Sequence, residues 1–161
     1  MRVNNQKGVS LIVLVITVIV LAILATITAQ ELGGIINQID KENISTDLLL
    51  IQAKAKVLKE KASFNSDDTI LKGEKISEIV NNAKIEELKE KGVINTAEEN
   101  YDKYYLLNKE TIDELEIGIE KMGEEDFYIV NYATEEVIFP EGYKHTDGNT
   151  YYKLSEISNL E

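Results

Sequence analysis

The chain has 161 residues, enough for one modest domain and an appendage. Its 29 acidic residues exceed its 17 basic ones and give a net charge of −12, which argues against a protein that binds the phosphate backbone of nucleic acids. The chain has no cysteine, and this excludes disulfides, thiolate metal sites and cysteine nucleophiles. With one histidine and no tryptophan, few residues remain for a hydrolase or a zinc site. We expect a protein that is not an enzyme and that needs no cofactor or metal.

An uncharged stretch of 21 residues, 9–29, is the most prominent feature near the amino terminus. At ~1.5 Å rise per residue, a helix of this length spans roughly 31 Å, which matches a hydrocarbon core of about 30 Å. Its hydroxyl side chains can donate to carbonyls one turn earlier, so none of them requires water. We predict a transmembrane helix at 9–29. Arg2 and Lys7 precede it, and this positive bias predicts a cytoplasmic amino terminus and an extracellular carboxy-terminal domain.

Three interpretations of this segment compete. A cleaved secretory signal has an apolar core of about 7–15 residues and small residues before the cut. Here the core is longer, and a cut after Ala29 would leave the bulky Ile27 three residues before the end. A plain signal anchor is the second interpretation. The third depends on the residues around Gly8.

The start of the sequence resembles the class III signal of type IV pilins and type II secretion pseudopilins. In that family a short basic leader ending in glycine is removed on the cytoplasmic side, and the apolar helix remains as anchor and assembly element. Residues 1–8, MRVNNQKG, match the leader, and Ser10-Leu11-Ile12 match the hydroxyl-Leu-Ile sequence that follows the cut. The resemblance implies that a prepilin peptidase cleaves between Gly8 and Val9, with Val9 as the residue that is methylated.

The sequence departs from the family pattern at two positions. Val9 stands where an aromatic residue or Met is usual, and Val13 stands where most major pilins carry Glu. That Glu is thought to pair with the amino terminus of a neighbouring subunit, because a carboxylate at this depth is costly unless it is paired. The resemblance therefore implies a minor or initiating subunit, or a divergent lineage. The abundance of Lys, Asn and Ile beside a single Arg favours a Gram-positive bacterium.

Residues 30–64 continue the helical period with one apolar face, which predicts an amphipathic stalk helix. The apolar face consists of Leu32, Ile35, Ile36, Ile39, Ile44, Leu48, Ile51, Ala55, Leu58 and Ala62. We expect it to pack on the carboxy-terminal domain of its own chain, and packing on other subunits is the alternative. Gly33-Gly34 interrupts the stretch and predicts a bend or local melting of the helix. Small residues in the membrane segment would allow helices to approach closely in a bundle; they are Ala22, Ala25, Thr26 and Ala29.

Residues 65–161 are richer in polar and aromatic residues and predict an extracellular α+β head domain. The sequence predicts short helices at Glu74–Asn81, Lys84–Lys91 and Lys109–Leu115, and Asn108 caps the last of them. It predicts strands at 104–107, 127–130 and 137–139, and Pro140 ends the last of them. The turn Asp147-Gly148-Asn149 places Tyr143 and Tyr151-Tyr152 on adjoining strands. The predicted fold is α+β and pilin-like: a long amino-terminal helix, first transmembrane and then amphipathic, packed on a small antiparallel sheet of three or four strands.

The remaining candidates for chemistry have plainer explanations. His145 lies beside a turn and we expect it to be exposed, because no second histidine exists to complete a metal or catalytic site. Runs of carboxylates such as Glu124-Glu125-Asp126 could supply oxygens to Ca²⁺, but their spacing is not that of an EF-hand, and a solvated surface is the default.

The leading hypothesis from the sequence is a membrane-anchored, pilin-like structural subunit of a type IV pilus, type II secretion or competence-like apparatus. Its partners would be the lipid bilayer, prepilin peptidase and other pilin-like subunits that it contacts through the amino-terminal helix. The alternative is a monomeric, single-pass, membrane-tethered binding module that faces the cell exterior.

Overall fold

The computed structural model describes residues 6–119 and 121–160. Helix α1 is Gln6–Asn65, and the surroundings of its side chains are described at 14–18 and from residue 40 onward. The chain divides into two compact units, Met1–Asp40 and Lys41–Glu161. The 26 residues 40–65 are therefore the part of α1 whose packing can be followed, and almost all of them belong to the second unit.

The first unit has described side chains only at 14–18 and at Asp40. Its apolar side chains there are 49–62% exposed, and the Thr17 hydroxyl donates to the Leu14 carbonyl at 2.8 Å, which confirms that this hydroxyl needs no water. Among the residues that the structure describes, no helix is both long and apolar enough to cross a membrane. The predicted transmembrane helix at 9–29 lies outside the described side chains except at 14–18. It stays a prediction, as does a bend or local melting at Gly33-Gly34.

The second unit is an α+β domain built on one antiparallel sheet of five strands in the order β1-β2-β3-β4-β5. The strands are β1 Glu74–Lys75, β2 Tyr104–Asn108, β3 Phe127–Asn131, β4 Glu136–Lys144 and β5 Thr150–Lys153. The short helices are α2 Ala83–Glu90, α3 Lys109–Glu114 and α4 Leu154–Ile157. The predicted α+β class with an antiparallel sheet is confirmed, and the sheet has more strands than expected because β1 is too short to show an alternating pattern.

Helix α1 packs on one face of the sheet. Leu48, Ile51 and Ala55 are 0–3% exposed and share an apolar cluster with sheet residues. The sheet residues of this cluster include Tyr105, Leu107, Tyr128, Val130 and Val137. The prediction that the apolar face packs on its own domain is confirmed for this stretch of the helix. Burial of this face removes apolar surface from water and is the main force that fixes α1 on the sheet.

The opposite face of the sheet carries a second apolar cluster. Because neighbouring residues of a strand point to opposite faces, Tyr104, Leu106 and Ile129 lie in this cluster while their neighbours face α1. Helix α2 covers it with Ile85 and Leu88, which are 0–1% exposed. Strand β2 is therefore buried on both faces, which explains its unbroken apolar run Tyr104-Tyr105-Leu106-Leu107.

Two of the three predicted helices in this domain are confirmed to within a residue or two at each end. The Asn82 side chain accepts hydrogen bonds from the Lys84 and Ile85 amides and begins α2, and Asn108 caps α3 as predicted through the Thr111 amide. The turn at 147–149 is also confirmed, with Gly148 at φ +87°. Capping residues and turn residues therefore locate these helices and this turn from the sequence alone.

The predicted helix at Glu74–Asn81 is wrong, because Glu74 and Lys75 pair with β2 and form β1. Gly73, at φ +103°, lies so close to the Leu106 carbonyl that an added Cβ would be 2.5 Å from its oxygen. This close approach brings the chain alongside β2 and leaves only a 3₁₀ turn at Ile76–Glu78.

The predicted end of a strand at Pro140 is also wrong, because β4 continues to Lys144. The register between β4 and β5 shifts between Ile138 and Tyr143. Pro140 lies inside this irregular stretch, where the ladder does not require its missing N–H.

Candidate functional site

The residues that the sequence singles out for processing and assembly belong to the first unit. They are Gly8 and Val9 at the predicted cleavage site, and Ala22, Ala25, Thr26 and Ala29 on the predicted packing face. All six lie outside the residues whose side chains the structure describes. Their roles remain predictions, and the described geometry concerns the second unit.

A second apolar stripe runs along the side of α1 that points away from the sheet. We call it the outward stripe; it consists of Leu49, Leu50, Ala53, Val57 and Phe64. Leu49, Leu50 and Val57 are 45–51% exposed, and Phe64 is 90% exposed. The solvent face of an amphipathic helix is normally polar. An apolar stripe on this face therefore marks a surface that can bind another molecule.

Sequence reasoning missed the outward stripe because it assigned a single apolar face to this helix. Leu48, Leu49 and Leu50 are consecutive, so the run reads as one apolar block. At 100° per residue, however, Ala53 and Val57 lie roughly opposite Ile51 and Ala55 on the helix. Plotting every apolar residue of 40–65 on a helical wheel would have separated the two stripes.

Charge is distributed unevenly along the same part of α1. Carboxylates lie toward its start, at Glu42 and Asp47, and lysines lie toward its end, at Lys54, Lys56 and Lys61. Lys41 near the start and Glu60 near the end interrupt this distribution, so α1 carries mainly carboxylates at one end of this stretch and mainly lysines at the other.

Unlike the other lysines of this stretch, Lys59 bonds to the turn between β3 and β4 and so connects α1 to the sheet. Its Nζ lies 2.9 Å from Glu135 Oε1 and donates to the Ala133 carbonyl at 2.8 Å, while Gln52 donates to the Glu135 carbonyl at 2.9 Å. The hydrogen bond from Lys59 lowers the pKa of the Glu135 carboxyl. These contacts fix the rotation of α1, so that the outward stripe points away from the domain.

An open groove of about 250 Å³ lies beside Leu50, between α1 and the segment after α3. Its lining residues are Asn43, Thr46, Asp47, Leu50, Gly118 and Lys121. The chain reaches this position because Glu116 adopts φ +56° and the Ile117 amide donates to the Ile112 carbonyl at 3.2 Å. This reversal after α3 forms the second wall of the groove.

His145 is half-buried, with 18% of its side chain exposed, so the prediction of an exposed turn histidine is wrong. Its ring lies 6.2 Å from the Tyr143 ring and 6.1 Å from the Tyr151 ring, and its Nδ1 lies 3.4 Å from Asp147 Oδ1. The Tyr151 hydroxyl donates to Asp147 Oδ2 at 2.6 Å, and this is the main reason why the pKa of Asp147 falls to about 2. The cluster holds the tip of the β4–β5 hairpin.

A second open groove, of about 610 Å³, runs along β5. Lys91 lies 5.0 Å from the centroid of the Tyr152 ring and donates to its hydroxyl at 2.6 Å, and a bond to Glu87 is the main cause of the raised pKa of Lys91. Glu156 accepts from the amides of Tyr152 and Lys153 at 3.1 Å. Two amides of this outer strand are therefore already bonded within the domain, which disfavours the addition of another strand there.

Across residues 40–119 and 121–160, no three histidine or carboxylate side chains converge in a way that could hold a metal ion. No protein-family model, no curated protein and no solved structure matches this chain. The features of the described domain that point to a function are therefore its surfaces, and the outward stripe is the most distinctive of them.

Proposed function

We propose that the protein is a membrane-anchored, pilin-like structural subunit of a type IV pilus, type II secretion or competence-like apparatus. The observation that carries the proposal is the order of features at the start of the chain: a basic leader, Gly8, then Ser10-Leu11-Ile12, then the uncharged stretch 9–29. In this proposal the amino terminus is cytoplasmic, the helix crosses the membrane once, and the domain is extracellular.

The proposed mechanism begins with cleavage between Gly8 and Val9 by prepilin peptidase. The apolar helix then waits in the bilayer and continues into the amphipathic stretch that carries the domain. During assembly it leaves lipid and enters a bundle of like helices. Because lipid and helix side chains are similarly apolar, close packing rather than burial must drive this step. Val13, in place of a carboxylate, suits a minor or initiating subunit.

One observation on the described residues supports a subunit that has neighbours. The outward stripe of α1 is left uncovered by the domain that α1 itself belongs to. A single-copy protein gains nothing from apolar residues on both sides of an extracellular helix. A subunit that meets its neighbours along this helix does.

Intact-mass spectrometry of the protein extracted from membranes of a host that has prepilin peptidase tests the proposal. We expect a mass that begins at Val9, with or without one added methyl group. A Gly8→Val variant should keep a mass that begins at Met1, because the bulky side chain blocks cleavage, whereas an Asn5→Ala control in the leader should be processed. A wild-type mass that begins at Met1 would overturn the proposal.

A monomeric, membrane-tethered binding module is the second candidate, and the groove along β5 is the observation that favours it. The groove combines a tyrosine ring, lysines and a carboxylate and is open to solvent. Shearing of cells separates the two functions. Recovery of the protein in sheared filaments favours the pilin-like subunit, and recovery in the membrane fraction alone favours the binding module.

A further inference from the structure

Lysines flank the outward stripe on both of its sides. At 100° per residue, Lys54 and Lys61 lie about 40° and about 20° from Leu50 around the helix. On the other side, Lys56 lies about 20° from Leu49. Among the described residues, none of these three lysines forms an ion pair. The three lysines are therefore available to an anion from outside the domain.

The charge of this stretch is opposite to that of the chain as a whole. Residues 49–64 contain four lysines and one glutamate, whereas the chain has a net charge of −12. Lys59 is bonded to Glu135 of the same domain, which leaves three lysines against Glu60. A helix surface that is both apolar and basic is typical of helices that lie on anionic lipid, because the apolar side chains enter the boundary of the acyl chains while the lysines reach the phosphates.

A second copy in the same membrane does not fit this surface. Copies held by the same anchor would stand parallel and unshifted, so that equal residues meet at equal height. Leu50, Val57 and Phe64 are seven residues apart and would form the seam of such a pair. Lys56 of one copy would then lie beside Lys61 of the next, and like charges across a helix seam disfavour the contact. The outward stripe therefore needs a different cover for as long as the subunit stays in the bilayer.

The link between the predicted membrane helix and this surface is short. It consists of residues 30–39, and ten residues span about 15 Å as a helix. Gly33-Gly34 lies within the link, where the sequence predicts a bend or local melting. A bend there turns the described part of α1 toward the surface of the bilayer that anchors it.

We propose that, before assembly, the outward stripe lies on the anionic lipid surface of the membrane that anchors the chain. Its apolar side chains enter the headgroup layer, and the three flanking lysines bind lipid phosphates. The sheet packs on the other face of α1, so the rest of the domain points away from the lipid. The inference rests on the proposed function in one respect, the anchor at 9–29 that keeps the stripe near the bilayer. Assembly then exchanges the lipid surface for neighbouring subunits.

Fluorescence quenching tests this contact, because the chain has no cysteine of its own and a single label can be placed at will. Ala53→Cys puts a small environment-sensitive fluorophore on the outward stripe of the full chain. The chain is reconstituted into phosphatidylcholine vesicles, with or without phosphatidylglycerol, that contain a lipid with a nitroxide quencher in its headgroup. Each lysine near an anionic surface strengthens binding about five-fold, so phosphatidylglycerol should raise the ratio of quenched to unquenched chains at least about five-fold.

Thr96→Cys is the matched control for the position of the label. Thr96 is exposed and follows Ile94, which belongs to the apolar cluster on the face of the sheet opposite α1. A label there should stay unquenched in both kinds of vesicle, because this part of the domain points away from the lipid.

The role of the lysines is then tested in the Ala53→Cys background. Adding Lys54→Gln/Lys61→Gln should lower the ratio of quenched to unquenched chains at least about five-fold in vesicles with phosphatidylglycerol. Lys75→Gln/Lys144→Gln removes the same charge from the sheet and should change the ratio less than about two-fold, because neither residue lies on α1.

The link is tested in the same background with Gly33→Ala/Gly34→Ala. Alanine favours a continuous helix over glycine about five-fold per residue, so this variant should lower the quenched ratio at least about five-fold. The lysines and the stripe are unchanged in this variant, and the loss would therefore come from the stiffer link.

Three results would overturn the inference. These are a label at residue 53 that lipid does not quench, quenching that is equal with and without phosphatidylglycerol, and a blue-shifted label that is unquenched and responds to the density of protein in the vesicle. The third result is expected if copies of the chain cover the stripe. Extraction with alkaline carbonate and the mass that begins at Val9 are measured on the same samples. An anchored, processed chain whose label is unquenched contradicts this contact alone, whereas a chain that carbonate extracts contradicts the proposed function.

Discussion

Leu48 and Leu49 are neighbours on α1 that lie about 100° apart around the helix, one buried and one exposed, and replacing each with alanine tests how the helix is placed on the sheet. Leu48 is 0% exposed in the cluster between α1 and the sheet, whereas Leu49 is 51% exposed on the outward stripe. Leu48→Ala removes buried carbons and leaves a cavity. The cost of such a change is about 2–5 kcal/mol in the free energy of unfolding, and full burial places Leu48 near the middle, at about 3 kcal/mol.

Leu49→Ala is the matched control, because it makes the same chemical change one residue away. About half of its side chain is already in water, and alanine is at least as good a helix former as leucine. We expect it to change the free energy of unfolding by less than about 1 kcal/mol.

Equilibrium unfolding in urea measures both variants, with the full chain in detergent micelles and the near-ultraviolet signal of the tyrosines as the probe. All eight tyrosines lie between 101 and 152, so the signal reports on the second unit. At a typical urea dependence of about 1–3 kcal/mol per molar, a loss of about 3 kcal/mol means that Leu48→Ala should lower the midpoint by about 1–3 M. Equal losses in the two variants, or a larger loss for Leu49→Ala, would refute the packing of α1 described above.

Three further changes follow from the described domain. Burial raises the pKa of Tyr132 to about 12 from its ordinary value near 10. The contribution of Tyr132 to the free energy of unfolding is therefore intact below pH 10 and is lost as pH rises to 12, with a fall of about 1 kcal/mol by pH 11. A pH titration of Tyr132→Phe should lack this part of the fall. Gly142→Ala should cost more than about 2 kcal/mol in urea unfolding, because φ is +73° and the new Cβ would clash with Thr150 Cγ2. Gly92→Ala is the control: its φ is +70° but the space around it is open, so it should cost about 1 kcal/mol. Asn82→Ala should cost about 1 kcal/mol by thermal or urea unfolding through loss of the α2 cap, and an unchanged stability would contradict the capping role.

Local signals predicted the parts of the domain that local forces decide. Asn108 marks the start of α3 because its side chain accepts from the Thr111 amide, a bond between residues three apart. The hairpin tip at Gly148 is set by a positive φ that glycine adopts without strain. The apolar face of α1 that packs on the sheet follows from helical periodicity alone.

The parts that failed depend on residues far apart in the chain. Strand β1 exists because Gly73 lets the chain approach Leu106, 33 positions further on, and two residues carry too little pattern to reveal it. His145 is half-buried because the rings of Tyr143 and Tyr151 lie beside it. Their positions relative to His145 depend on the register of the β4–β5 hairpin, which the sequence does not specify. Pro140 stays in a strand because of a register shift that becomes visible only once β5 is in position.

The outward stripe shows most clearly why a surface is harder to predict than a core. A helix with one apolar face is explained completely by one partner, so periodicity alone gives no reason to search for a second. Burial of Leu48, Ile51 and Ala55 against the sheet decides which apolar residues are left outside. Lys59 and Gln52 hold the same rotation through bonds to the carbonyls of the β3–β4 turn. Only after these contacts fix the rotation of α1 do Leu50 and Phe64 become an uncovered pair with a groove beside one of them. When one face of a helix packs on its own domain, the opposite face is left exposed. The position of such an exposed face therefore depends on the tertiary contacts that fix the rotation of the helix.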